Sequence, residues 1–144
     1  MEDNIKRVKK ILVDEDLSCV LVGQDKVFRS KDRGVKPLLD LIRKDEKVEG
    51  YVAADTVVGR AAALLYIKLG VIFVYGKLMS KKAVEIFEEN GIDYEYMTLV
   101  EYIKNRDGKD LCPLEKSVWD IHDSEKGYIA ICETARKLMA NKFT

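Results

Sequence analysis

One histidine, His122, stands in 144 residues, alongside two prolines, one tryptophan and one glutamine, Gln24. A single histidine excludes any metal centre built on two or more imidazoles. Three cysteines, Cys19, Cys112 and Cys132, are widely spaced, odd in number and never in C-x-x-C spacing. That pattern argues against a disulfide framework and against zinc, and a reduced cytoplasmic setting is the expectation. No apolar run approaches the length of a membrane-spanning helix. Met1 to Lys10 is too charged to read as a signal peptide. An excess of one charge is missing too, since 25 basic and 25 acidic residues cancel. This speaks against a nucleic-acid partner held mainly through phosphate contacts.

What remains is a chain that is 47% hydrophobic and 35% charged. This suits one domain, over 1–144, with its own core. Ile5, Val8, Ile11 and Leu12 form one stripe, so residues 3–14 are predicted to be an amphipathic helix. Leu17 to Val22 reads as a strand, turned by Gly23-Gln24-Asp25 into a partner over Lys26 to Ser30. Val35, Leu38, Leu39 and Ile42 mark a second helix, with Pro37 in its first turn. Tyr51 to Ala54 and Val71 to Tyr75 are short apolar runs, as buried parallel strands require. Between them a helix is predicted over Val57 to Leu69, with small residues near its start and Gly70 at its end. Ser80 is a good N-cap for the next helix and Asn90-Gly91 a good stop. Tyr94 to Thr98 is the last strand. Residues 99–104 read as a helical turn and Asn105 to Leu111 as a loop. A short helix follows from Pro113 to about Ile121. The last helix starts near Asp123-Ser124, with Tyr128, Ile131, Cys132, Ala135, Leu138 and Met139 on one face.

Three stretches carry a resemblance. They are Arg33-Gly34-Val35-Lys36-Pro37-Leu38-Leu39-Asp40, Ala53 through Ala63, and Cys112-Pro113-Leu114-Glu115. Together they resemble an uncharacterised prokaryotic family, the domain of unknown function numbered 1893. The resemblance implies a three-layer α/β/α, cytidine-deaminase-like domain with a five-stranded mixed sheet. In zinc deaminases of that frame, ligands sit at the starts of two helices. Here those places read Arg33 to Pro37 and Ala54 to Gly59, with no His or Cys. Zinc deamination needs nitrogen and sulfur ligands and a glutamate proton shuttle. The expectation is therefore no metal and no cofactor. Other zinc-free branches of the fold carry formyl-transfer and sulfur-transfer activities, and extending either to this chain is fold analogy alone.

The candidate site residues follow from position. Asp55 and Thr56 are expected where a strand ends and a helix begins, an edge at which open α/β sheets bind ligands. Free N–H groups there, beside Gly59 and Arg60, suit a phosphate or carboxylate. Asp55 itself favours a hydroxyl, amine or ribose; equally, it is a plain N-cap and Gly59 a packing residue. Lys36, with Arg33 and Gly34 before it, is a cation at a helix start, which costs ~0.3–1 kcal/mol. An anionic ligand, Asp55 or solvent screening offsets that cost. Cys112 precedes Pro113 and is placed at the next N-cap. Helix N-termini favour thiolates, and Glu115, in capping-box position, opposes this. Cys112 is thus either a nucleophile or an inert small side chain. Cys19 and Cys132 read as core. His122 lacks acidic partners at ligand spacing and reads as a helix C-cap.

Three functions stay open. The first is binding of a nucleotide-like or related small metabolite between Arg33 to Lys36, Asp55 to Gly59 and the Cys112 loop. The second is metal-independent catalysis or sulfur carriage at Cys112, and the third a regulatory interaction module. Self-association is left open; a membrane partner is not expected.

Overall fold

The computed structural model describes residues 1–105 and 108–142. Five strands form one mixed sheet in the order β2-β1-β3-β4-β5. They are β1 Cys19–Val22, β2 Val27–Ser30, β3 Val52–Val58, β4 Phe73–Ser80 and β5 Asp93–Val100. β1 runs antiparallel to both β2 and β3, while β3, β4 and β5 are parallel. The element order and the five-stranded mixed sheet are those of the expected three-layer α/β/α frame.

The layers follow the apolar patterning. Helix α1, Glu2–Asp14, lays Val8 and Leu12 on Val20, Val22, Val52, Ala54 and Phe73. The larger core lies on the opposite face. There α2 Lys36–Arg43, α3 Arg60–Leu69 and α4 Lys81–Glu89 bury Leu38, Ala63, Leu64, Leu65, Ile86 and Phe87. α5 Pro113–Ser117 and α6 Ser124–Lys142 complete that layer, with Val118 and Ile131 buried. Several local signals act as read. Pro37 sits in the first turn of α2. Gly70 ends α3. The Ser80 hydroxyl accepts the Ala83 N–H at 3.1 Å. Among the described residues no helix is long and apolar enough to cross a membrane.

Several boundaries differ from the sequence reading. β3 does not stop at Ala54. Thr56, Val57 and Val58 are β-branched and favour a pleated surface, and Asp55, Val57 and Val58 pair with Gly76, Leu78 and Met79. Helix α3 therefore starts at Arg60 rather than Val57, and β4 extends to Ser80. Residues 101–104 form no helical turn; Lys104 bridges Leu111 instead. α5 ends at Ser117, four residues short of Ile121. On α6, Ile131 is buried, but Leu138 and Met139 are exposed. Arg106 and Asp107, within the expected loop, and Phe143 and Thr144, at the end of the expected domain, lie outside the described residues.

Candidate functional site

Moving the start of α3 to Arg60 changes what Asp55 is. It is no N-cap. It lies inside β3, opposite Cys19 of β1, and is 5% exposed. Tyr66, on the inward face of α3, donates its hydroxyl to Asp55 Oδ2 at 2.7 Å. Asp55 Oδ1 accepts the Val57 N–H at 3.3 Å. Cys19 Sγ lies 3.3 Å from the same Tyr66 oxygen. A buried chain thus runs Cys19–Tyr66–Asp55.

Burial pushes the Asp55 carboxyl up to about 7, against the opposing hydrogen bonds from Tyr66, Val57 and Thr56. Burial, then the Asp55 charge, raises the Cys19 thiol and the Tyr66 phenol well above their ordinary values. With Asp55 ionised, Tyr66 donates to it and the Cys19 thiol donates to Tyr66. With Asp55 protonated, the acid proton goes to Tyr66 and Tyr66 donates to sulfur. The chain therefore has two hydrogen-bond directions, set by one proton. Sequence reading missed it, because Cys19 and Tyr66 both sit in apolar patterns. The available signal was a lone tyrosine in the apolar run Ala61 to Ile67, since a buried hydroxyl needs a partner.

Cys19 also forms a wall of a depression beneath α2. That cavity, about 220 Å³, is lined by Cys19, Leu21, Phe28, Arg29, Ser30, Asp32, Pro37, Asp40, Leu41 and Lys44. Arg33, Gly34 and Lys36 lie in the turn between two of these lining residues, Asp32 and Pro37, and are exposed. Gly34 has φ +63°, a left-handed value that favours glycine. Lys36 does not meet Asp55. Its ammonium is 2.8 Å from Asp40 and 3.5 Å from Asp32, which offset its unfavourable place at a helix start. Thr56 turns away from a ligand role: its N–H and hydroxyl both reach the Ser18 carbonyl, at 3.0 and 3.4 Å. The Ser18 hydroxyl in turn donates to the Asp32 carbonyl at 2.6 Å.

The anion site expected at the start of α3 exists, and the chain fills it itself. Glu115, 3% exposed, accepts the Arg60 N–H and the Ala61 N–H, each at 2.7 Å. Its carboxyl is raised by burial, against the pull of those two N–H groups and of the Arg60 charge. Gly59 is required for space, because a Cβ there would overlap Glu115 Oε1. Glu115 is therefore not the capping-box partner of Cys112 but the cap of a different helix. Cys112 does stand at the N-cap of α5, half-buried and without a side-chain cap bond. Its N–H donates to the Ile103 carbonyl at 3.0 Å.

Arg60 is fully buried. Its guanidinium donates to the carbonyls of Val118, Lys82 and, twice, Ile121, at 2.7–3.2 Å. This ties α3 to α4 and to the turn after α5. The same turn carries His122 against α4, where Glu85 and Glu89 stand one turn apart. The expectation that His122 lacks acidic partners is corrected here: Nδ1 lies 2.8 Å from Glu89 and 3.9 Å from Glu85. The three groups have the spacing of a cation site. Arg60 stands 3.5 Å from Glu85 and 3.4 Å from His122 Nδ1, so these carboxylates already face a fixed positive charge.

The three segments expected around one pocket thus divide. The Arg33–Lys36 turn borders the α2 cavity, into whose wall Asp55 is connected through Tyr66 and Cys19. Gly59, Cys112 and Glu115 gather at the other side, beyond the end of β3.

The model of the family described as "TM1506: Domain of unknown function (DUF1893)" matches residues 7–134. The chain belongs to this family. A crystal structure of a DUF1893 family protein (TM1506) from Thermotoga maritima is 29% identical, with a TM-score of 0.85, over 92% of this chain and 90% of that one. The apo dCMP deaminase from the cyanophage S-TIM5 is 14% identical, with a TM-score of 0.44, over 67% of this chain and 95% of that one. No curated protein matches.

Proposed function

We propose that this DUF1893 chain binds a small nucleoside-like metabolite in the cavity beneath α2. One observation carries the reading: the thiol in the cavity wall, Cys19, is the outer end of a buried chain leading to Asp55. Ligand sites combine an apolar pocket with a few convergent polar groups and a perturbed acid. Here Phe28, Leu21 and Leu41 suit a flat ring, and Ser30, Asp32 and Asp40 suit its hydrogen-bonding edge. A volume near 220 Å³ fits a base or small nucleoside better than a dinucleotide. Binding is favoured over covalent catalysis at this wall. Burial and the Asp55 charge hold Cys19 as a neutral thiol, and the thiolate is the nucleophile. Nor does Cys112 support the nucleophile reading: among the described residues, no base stands at hydrogen-bond distance from its sulfur.

The test is a thermal-shift panel of bases, nucleosides and nucleotides on the wild-type chain and on Leu41→Trp, which fills the cavity. A ligand at a hundred times its Kd adds about 2.7 kcal/mol of stability, a shift of several degrees. The reading predicts a hit for the wild type that Leu41→Trp loses. It fails if no panel member shifts the wild type, or if the variant keeps the shift.

A further inference from the structure

A second depression lies outside the carboxyl ends of the parallel strands, apart from the α2 cavity. It is a groove of about 760 Å³ lined by Val57, Leu78, Lys81, Leu99, Val100, Glu101, Tyr102, Ile103 and Lys104. The C-terminal edge of a parallel sheet is where α/β domains bind ligands. Its floor is apolar and open: Val57 is 42% exposed and Tyr102 40%. The floor is also rigid, because Val57, Leu78 and Thr98 stand in register across β3, β4 and β5. The wall is tied down from three sides. Cys112 N–H holds the Ile103 carbonyl at 3.0 Å, Lys104 bridges Leu111, and Lys81 pairs with Glu101 at 2.6 Å. The groove is therefore formed before any ligand arrives.

Its charge selects the ligand. Lys81 and Glu101 neutralise each other. Lys104 is exposed and has no ion pair among the described residues. The lining thus combines an apolar floor with one net positive charge. We infer that this groove binds a small organic monoanion with an apolar body, of the aryl- or acyl-carboxylate class. The body covers Val57, Leu78, Leu99 and Tyr102, and the carboxylate pairs with Lys104. Covering the floor removes its apolar surface from water. A neutral apolar ligand leaves Lys104 unused, and a dianion has no second cation to meet.

The experiment is an NMR titration of the full chain with 4-phenylbutyrate and, as neutral counterpart, 4-phenylbutanol. The expected result is saturable shifts at residues 57, 78 and 99–104 with the acid, and binding about tenfold weaker with the alcohol. Lys104→Glu, an exposed change that leaves the core intact, weakens the acid by about tenfold or more. Val57→Asp abolishes its binding, and Leu41→Trp, in the other cavity, leaves it unchanged. Absence of saturable binding overturns the inference, as does equal affinity for acid and alcohol, or an unaffected Lys104→Glu. If light scattering shows a wild-type oligomer that Val57→Asp dissociates, the groove is a contact between copies of the chain, and the ligand assignment is wrong.

Discussion

Glu115 occupies the space that a side chain at Gly59 would need. This pair closes the N-terminus of α3 with a carboxylate from 55 residues further on. Gly59→Ala forces that carboxylate off the Arg60 and Ala61 N–H groups. Glu115→Ala leaves the same two buried donors without partners. Each change should cost about 2–4 kcal/mol, read as a lower urea midpoint at unchanged slope. A loss below about 0.5 kcal/mol for both would contradict the cap.

Arg60 makes the complementary prediction. Its buried guanidinium satisfies three backbone carbonyls from two separate segments. Arg60→Met strands those carbonyls and should destabilise by about 3–5 kcal/mol. Arg60→Lys keeps the charge but not the planar fork, so it should recover only part of that loss. Full recovery by lysine would mean that charge alone, rather than the forked geometry, matters there.

Asp55 sets a pH dependence with a definite sign. The native carboxyl keeps its proton up to about 7, against an ordinary value near 3.8. Between those limits the folded state binds more protons than the unfolded state. Stability therefore falls as pH rises from about 4 to about 7 and levels off above. At ~1.36 kcal/mol per pH unit the interval amounts to something on the order of 4 kcal/mol. Glu115 is raised by burial too, so the comparison is with Asp55→Asn, whose amide donates to Tyr66 as the protonated acid does. Denaturation of both proteins at pH 5 and pH 8 should show the wild type losing ground to the variant as pH rises. Parallel curves would refute the assignment.

Thiol labelling separates the three cysteines. Cys19 is buried and held by Tyr66, whereas Cys112 and Cys132 are half-buried. Iodoacetamide should modify Cys112 and Cys132 in the native protein and Cys19 only on unfolding. Tyr66→Phe removes the one hydrogen bond that favours the Cys19 thiolate, so Cys19 should stay unlabelled in the folded variant as well. If native Cys19 labels first, its sulfur is not buried against Tyr66 as the structure has it.

The frame was legible because its signals are local and mutually consistent. The 3.6-residue stripe of α1, Pro37, Gly70 and Ser80 each act within a few residues. The end of β3 was not. Asp55-Thr56 has the look of a helix start, and only pairing with β4 decides that the strand continues through Val58. That displacement of a few residues turned Asp55 from a cap into a buried acid. The site also depended on contacts without sequence period. Glu115 reaches α3 across 55 positions, and Tyr66 meets Asp55 through the interior. His122 meets Glu85 and Glu89 from a turn that Arg60 ties to α3. A scan for motifs sees each of these as an isolated polar residue.

The measurement closest to the central claim is amide chemical-shift mapping of a panel ligand on the full chain. The account predicts saturating changes at Cys19, Phe28, Ser30, Asp32 and Leu41, extending through Tyr66 to Asp55, and their loss in Leu41→Trp. Changes confined to other residues, or a panel that perturbs none of these, would contradict a binding site beneath α2.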